Sequence, residues 1–140
     1  MGLITVIAAA VAVSTLTWAV LERVVIPNTG SVEAVGVGVY WDSGCTNGVT
    51  SIDWGVVQVG ATKNVAVYIR NEGSAPMTLS LATENWNPAI ASTYIGFSWD
   101  YGGEVLGVDG VVQVTLSLSV SVLIEGITNF SFDIVITGST

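Results

Sequence analysis

From Val32 onward, apolar and polar residues alternate along the chain. Val65, Val67 and Ile69 alternate with Asn64, Ala66 and Tyr68. Met77, Leu79 and Leu81 alternate with Thr78, Ser80 and Ala82. Val112, Val114, Leu116, Leu118 and Val120 alternate with Gln113, Thr115, Ser117 and Ser119. A period of two belongs to a strand with one face buried. Further strands are expected over 32–41, 52–57, 94–101 and 129–137. Turn-forming residues divide them: Asn71-Glu72-Gly73, Asn87-Pro88, Gly102-Gly103, Asp109-Gly110 and Glu125-Gly126. About seven strands at this spacing, with no second helical pattern, predict a mainly β fold: an antiparallel β-sandwich.

The pattern before Val32 is different. Residues 2–21 carry no charged side chain, and Glu22 and Arg23 follow them. About 20 apolar residues suffice to span a bilayer as a helix. The segment therefore predicts one long apolar α-helix over 1–26, stopped by Pro27 and Asn28-Thr29-Gly30. The expected organisation is that helix, a linker over 27–31 and a β-domain over 32–140. Three readings of the helix compete. A cleaved secretory signal needs a basic start and a small-residue site at the end of its apolar run. No Lys or Arg precedes position 23, and Ala8-Ala9-Ala10 falls in mid-run. A membrane anchor needs only the length, but the flanking charges at Glu22 and Arg23 supply no orientation. A helix that bundles with copies of itself needs a small-residue face. Ala8, Ala12, Thr15 and Ala19 share one face and would form that packing interface.

Composition narrows the function classes. Charged residues make up 10% of the chain against 51% hydrophobic, so Ser, Thr, Asn and Gly must cover the surface. Net charge is −8, with Arg23, Lys63 and Arg70 the only basic side chains. No basic stripe can be drawn to neutralise phosphates, which excludes nucleic acid as a partner. A polybasic grip on an anionic membrane is excluded on the same count. Histidine is absent, which removes the commonest general base and transition-metal ligand. The single cysteine, Cys45, forms no intramolecular disulfide; it is either a buried thiol or a partner between subunits.

One stretch is more specific. Ile52-Asp53-Trp54-Gly55 is followed by Val59-Gly60, by a strand from Lys63 to Arg70, by Asn71-Glu72-Gly73, and by Ala75-Pro76-Met77. This order resembles immunoglobulin-like domains with an aromatic-Gly, Gly, strand, Asn-x-Gly, Pro pattern. From Glu33 onward the chain also resembles a β-sandwich domain of membrane-tethered archaeal surface proteins. With the apolar N-terminal segment, the layout resembles archaeal type IV pilins, archaeal flagellins and adhesion-filament subunits. It departs from them in having no Glu near the start of the apolar run. The resemblance implies an extracellular homopolymer, a cell-surface appendage with apolar helices in its core and β-domains outside, which passes through the membrane before assembly. The alternative is a non-polymerising, membrane-anchored surface domain that faces outside and is adhesive or carbohydrate-binding.

Candidate chemistry is sparse. Nothing in the spacing of the acidic residues selects the convergent carboxylate pair a glycosidase needs. Asp42, Asp53, Asp100 and Asp109 could meet at one end of a sandwich around Ca²⁺, but the D-x-D-x-D-G ligand loop is missing. The reading is of a structural protein with no catalytic residue, no metal and no cofactor. Trp86, in the polar stretch Glu84-Asn85-Trp86-Asn87-Pro88, is the candidate exposed aromatic for contact with surface glycans or a neighbour. Asn129-Phe130-Ser131 is the one N-glycosylation sequon.

Overall fold

The computed structural model describes residues 24–27 and 30–140. Its strand segments are β1 (Val24–Pro27), β2 (Gly30–Val35), β3 (Val37–Tyr40), β4 (Ser51–Ile52), β5 (Val57–Gln58), β6 (Thr62–Asn71), β7 (Thr78–Asn87), β8 (Ile95–Trp99), β9 (Val111–Val120) and β10 (Asn129–Ser139). The one helix among the described residues is the four-residue α1 (Ala91–Tyr94).

The strongest alternating runs become the longest strands. β6 and β9 pair antiparallel from Thr62↔Ser119 to Arg70↔Val111. Their apolar alternates Val67, Ile69, Val114, Leu116 and Leu118 are all buried, which is the main drive for the pairing. β3 and β8 flank them, giving a sheet in the order β3-β6-β9-β8. The second sheet is built on β10. β7 lies antiparallel on one side of it. On the other side β1 and β2 run parallel to it, end to end, through Ile26↔Asn129 and Ile134↔Val32. β5 and β4 complete that edge by pairing with β1 and β2 in turn. The sheets meet where Phe132 of β10 contacts Phe97 of β8 edge-on, with ring centroids 5.3 Å apart. One hydrophobic core joins both, and the fold is β-sandwich-like.

Two expectations need correction. The long apolar helix predicted over 1–26 does not extend to its predicted end, because Val24–Pro27 is strand β1. Val24, Val25 and Ile26 are three β-branched residues in a row, which favours a pleated strand. The backbones of β5 and β10 supply partners on both sides. The expected linker over 27–31 likewise gives way: Pro27 closes β1, and Gly30 and Ser31 open β2. The described protein is therefore a mainly β, two-sheet fold opened by a strand. The rest of the expected helix, residues 1–23, lies outside the described residues. Among the described residues no helix is long and apolar enough to cross a membrane.

The sandwich is also not wholly antiparallel. β10 is flanked in parallel by both N-terminal segments. Strands paired in parallel need a long crossover, and here nearly the whole domain lies between them. The run expected over 32–41 is split at Gly36, whose φ of +77° lets the chain leave one sheet and enter the other. Both parts pair within their own chain, as β2 against β10 and β3 against β6.

Candidate functional site

The acidic side chains are held by local structure. Asp42 closes the loop after β3: its carboxylate accepts from the Thr46 backbone N–H at 3.0 Å, the Thr46 hydroxyl at 2.5 Å and the Asn47 N–H at 2.9 Å. These bonds, the Thr46 hydroxyl first, hold its carboxyl below the usual carboxylate range. Asp53 accepts from the Gly55 N–H at 2.9 Å, and Asp100 from the Thr115 N–H at 2.7 Å. Asp109, with φ of +61°, forms an exposed ion pair with Arg70 at 3.0 Å. Asp133 accepts from the Asn85 side-chain amide at 2.7 Å. The Tyr40 hydroxyl donates to Glu72, and that bond raises the Tyr40 pKa. Among the described residues no three acidic or cysteine side chains gather where a metal ion could be held. Asp42, Asp53, Asp100 and Asp109 are spent on four separate stretches of backbone or side chain.

The aromatic residues form a stack that links the two sheets. Trp86 lies flat on Phe132, with centroids 4.2 Å apart and planes 9° apart. Phe130 continues the stack beside it, 6.4 Å from Trp86. The Trp86 ring N–H donates to the Thr83 hydroxyl at 3.1 Å. Trp86 is thus half-buried against the core. Strict alternation along β7 would put it on the face opposite Leu81; the register irregularity between Glu84 and Asn87, with Asn85 at φ +57°, turns it inward instead. Trp54 is buried and meets Phe97 edge-on at 5.8 Å.

Asn129 is exposed at the first position of β10, beside β1. Cys45 is part-exposed in the loop closed by Asp42, with φ of +57° and its thiol 3.9 Å from the Ser43 carbonyl. Ala8, Ala12, Thr15 and Ala19 lie outside the described residues.

What the registers bring together is one end of the sandwich. β1 begins there, with Val24 opposite Gln58. β6 begins there, and β9 ends there, through Thr62↔Ser119. The Gly60 N–H donates to the Val120 carbonyl at 2.8 Å, and the Ser121 N–H to the Tyr94 carbonyl at 2.8 Å. β7 ends there as β10 begins, through Ser131↔Asn87. Beyond β9 this end exposes Val122 and Leu123, at 72% and 74% of their surface, and Ile90 at 57%. Alternation breaks at Val122-Leu123-Ile124, three apolar residues in a row ahead of the Glu125-Gly126 turn. That break is the feature by which sequence reasoning could have found the patch. Its nearby charges are Lys63 and Glu125. The opposite end carries Glu72, Glu104 and Asp109 with Arg70 among them, and it exposes Val35, Val105, Val108 and Val111. No protein-family model matches the sequence, and no curated protein is significantly similar to it.

Proposed function

We propose that this chain is a structural subunit of an extracellular, pilus-like filament. In that assembly the uncharged N-terminal segments gather inside and the β-domains stand outside. The entry of the chain carries the reading. The uncharged stretch of residues 2–21 precedes β1, with Glu22 and Arg23 between, and β1 begins at the end of the sandwich where Val122 and Leu123 are exposed. An assembly that sequesters the N-terminal segments would turn that end of each domain inward. The low charge of the surface also suits close packing of copies, since like charges repel weakly there. The local use of each aspartate in the loops is what a scaffold requires.

A second reading keeps the same chain entry without polymerisation: a surface domain tethered by residues 2–21 in a membrane and facing outside. The length of the uncharged stretch supports it. Electron microscopy of material sheared from cells, with mass identification of the subunit, separates the two. Filaments containing this chain are the expected result. Recovery only from the membrane fraction, as a monomer after detergent extraction, would replace the first reading by the second.

A further inference from the structure

We infer that the free edge of β8 is a pairing surface for β8 of a second copy of this chain, the two strands running antiparallel about a two-fold axis at Phe97. Such a contact goes beyond the filament reading. It uses only the β-domain, and it is open to the chain with residues 2–21 in a filament core or in a membrane.

A strand at the edge of a sheet presents unpaired N–H and C=O groups, and folded domains guard such edges with covering loops, charges, irregularities or short strands. The other edges here are guarded. The loop after β3 folds back on it: Tyr40 bridges to Gly48, and the Val49 N–H donates to the Val39 carbonyl at 2.8 Å. The approach to β7 is covered by Leu106, which bridges to Met77, and the Leu79 N–H donates to the Tyr101 hydroxyl at 3.2 Å. Farther along β7 come the charge of Glu84 and the irregularity at Asn85. β4 and β5 are 2 residues long each. β8 ends the sheet β3-β6-β9-β8, and among the described residues no strand lies beyond it. Its sequence, Ile95-Gly96-Phe97-Ser98-Trp99, has no charge and no proline, and its register with β9 is unbroken.

The ladder fixes which groups face outward. The Val120 N–H and carbonyl bond Ala61 and Gly60, just before β6. The Ser121 and Thr115 N–H groups point the other way, to the Tyr94 carbonyl at 2.8 Å and the Asp100 carboxylate at 2.7 Å. Gly96 and Ser98, opposite Ser119 and Ser117, therefore take the bonds of β9. Phe97 and Trp99 turn both backbone groups outward. Ile95 turns out its carbonyl, its N–H being held by the Ala91 carbonyl. Antiparallel pairing centred on Phe97 matches this set. Phe97 exchanges both bonds with its counterpart, and each Trp99 N–H meets the carbonyl of the other copy's Ile95. Gly96 then faces Ser98, small on small, and Asp100 lies opposite Tyr94, so no like charges meet. The core-facing side gains as well. Tyr94, Phe97, Trp99 and Tyr101, along β8 and its flanks, are only partly buried. The same aromatic rim of a second copy would cover what is left open.

The test is disulfide trapping on the full-length chain in a Cys45→Ser background. Opposed residues of a non-hydrogen-bonded antiparallel pair have Cα atoms about 4.5 Å apart, within reach of a disulfide. Copies with Gly96→Cys are mixed with copies with Ser98→Cys and oxidised mildly; a side-chain carbon at 96 meets nothing within 4 Å in the single chain. The link between 96 and 98 should form at least about tenfold faster than one between Gly96→Cys and Gln113→Cys, an exposed position of β9 away from the edge. Ser98→Cys copies alone should link more slowly than the mixture, because their positions lie diagonally across the axis. A second arm carries Gly96→Lys and Ser98→Lys in one chain, which sets like charges opposite each other. Both positions are exposed, so this variant should melt within a few degrees of the unaltered chain. Sedimentation in mild detergent should show a dimer for the unaltered chain and a monomer for the lysine variant. Trapping at the control rate, faster self-linking of Ser98→Cys copies, a monomeric unaltered chain or a dimer that survives the lysines would each overturn the pairing. All of them leave the filament reading to its own test by microscopy.

Discussion

The side-chain amide of Asn71 donates to the carbonyl oxygen of Leu106 at 2.9 Å, across 35 positions of sequence. Asn71 is the one fully buried polar side chain among the described residues. The same amide donates to the Ala75 carbonyl at 2.9 Å, and its oxygen accepts from the Gly73 N–H at 2.8 Å. Its backbone adds two more bonds, to Gly110 and Asp109. One residue at the end of β6 thus ties the β6–β7 turn to the connection between β8 and β9.

Asn71→Ala should therefore be among the most damaging single changes. It orphans two carbonyls and an N–H at a buried site, at a cost of about 2–4 kcal/mol. Asn71→Asp should be at least as costly, because a buried carboxylate cannot donate to either carbonyl. Urea unfolding measures both. A loss below about 1 kcal/mol for the alanine variant would mean that water replaces the amide without penalty.

Trp86→Ala removes the flat contact with Phe132 and the packing on Phe130. A half-buried tryptophan with one stacked face is expected to contribute about 2–3 kcal/mol. Trp86→Phe keeps a ring over Phe132 and loses the bond to Thr83, so it should cost about 1 kcal/mol. Calorimetry of the two variants should show that order. Equal losses would place the contribution in the hydrogen bond rather than the stack.

Gly38 makes room for the Tyr40–Glu72 bond. A side-chain carbon at position 38 would collide with the Tyr40 ring and the Glu72 carboxylate. Gly38→Ala should therefore break that bond and lower the Tyr40 pKa toward its ordinary value of 10.0, while the β3–β6 register is kept. Ultraviolet titration of the phenols reads this directly. An unchanged titration would mean that the pair can shift aside intact.

Asp42 sets an acid response in the loop after β3. Its folded pKa is lowered from 3.8 by bonds from Thr46 and Asn47. A carboxylate with a depressed folded pKa contributes stability above its unfolded pKa and loses it as pH falls through the folded value. Amide exchange at Thr46 and Asn47 should accordingly quicken, beyond the intrinsic trend, only below about pH 4. Asp42→Asn keeps an oxygen that can accept from both amides but does not titrate, so the acid step should vanish while protection at neutral pH is largely kept. An acid step that persists in Asp42→Asn would assign the response to another group.

Much of the β pattern is legible without coordinates. The alternation over 65–69, 77–81 and 112–120 lies within β6, β7 and β9, apart from Met77, which bridges to Leu106 just before β7. Pleating sends successive side chains to opposite faces, so burial of one face writes a period of two into the residues. The turns at Asn71-Glu72-Gly73 and Asp109-Gly110 are local in the same sense, because left-handed or hydrogen-bonded backbone selects its own residue types.

Other features have no local cause. The helical reading of residues 1–26 used apolar length, a property of the segment alone. Only the partners offered by β5 and β10 make Val24–Pro27 a strand. Asn71 reads as a turn residue, and nothing near it in sequence announces Leu106. Trp86 looks exposed among its polar neighbours until β10 brings Phe132 beneath it. The sequence by itself determined that the alternating segments pleat, where they turn, and how little charge the chain carries, since each follows from residues within a few positions of one another. The tertiary structure alone decided which strands pair, that the first and last run parallel, and that Val122, Leu123 and the entry of the chain share one end. Those follow from burying all the apolar faces at once, a condition that no single segment contains.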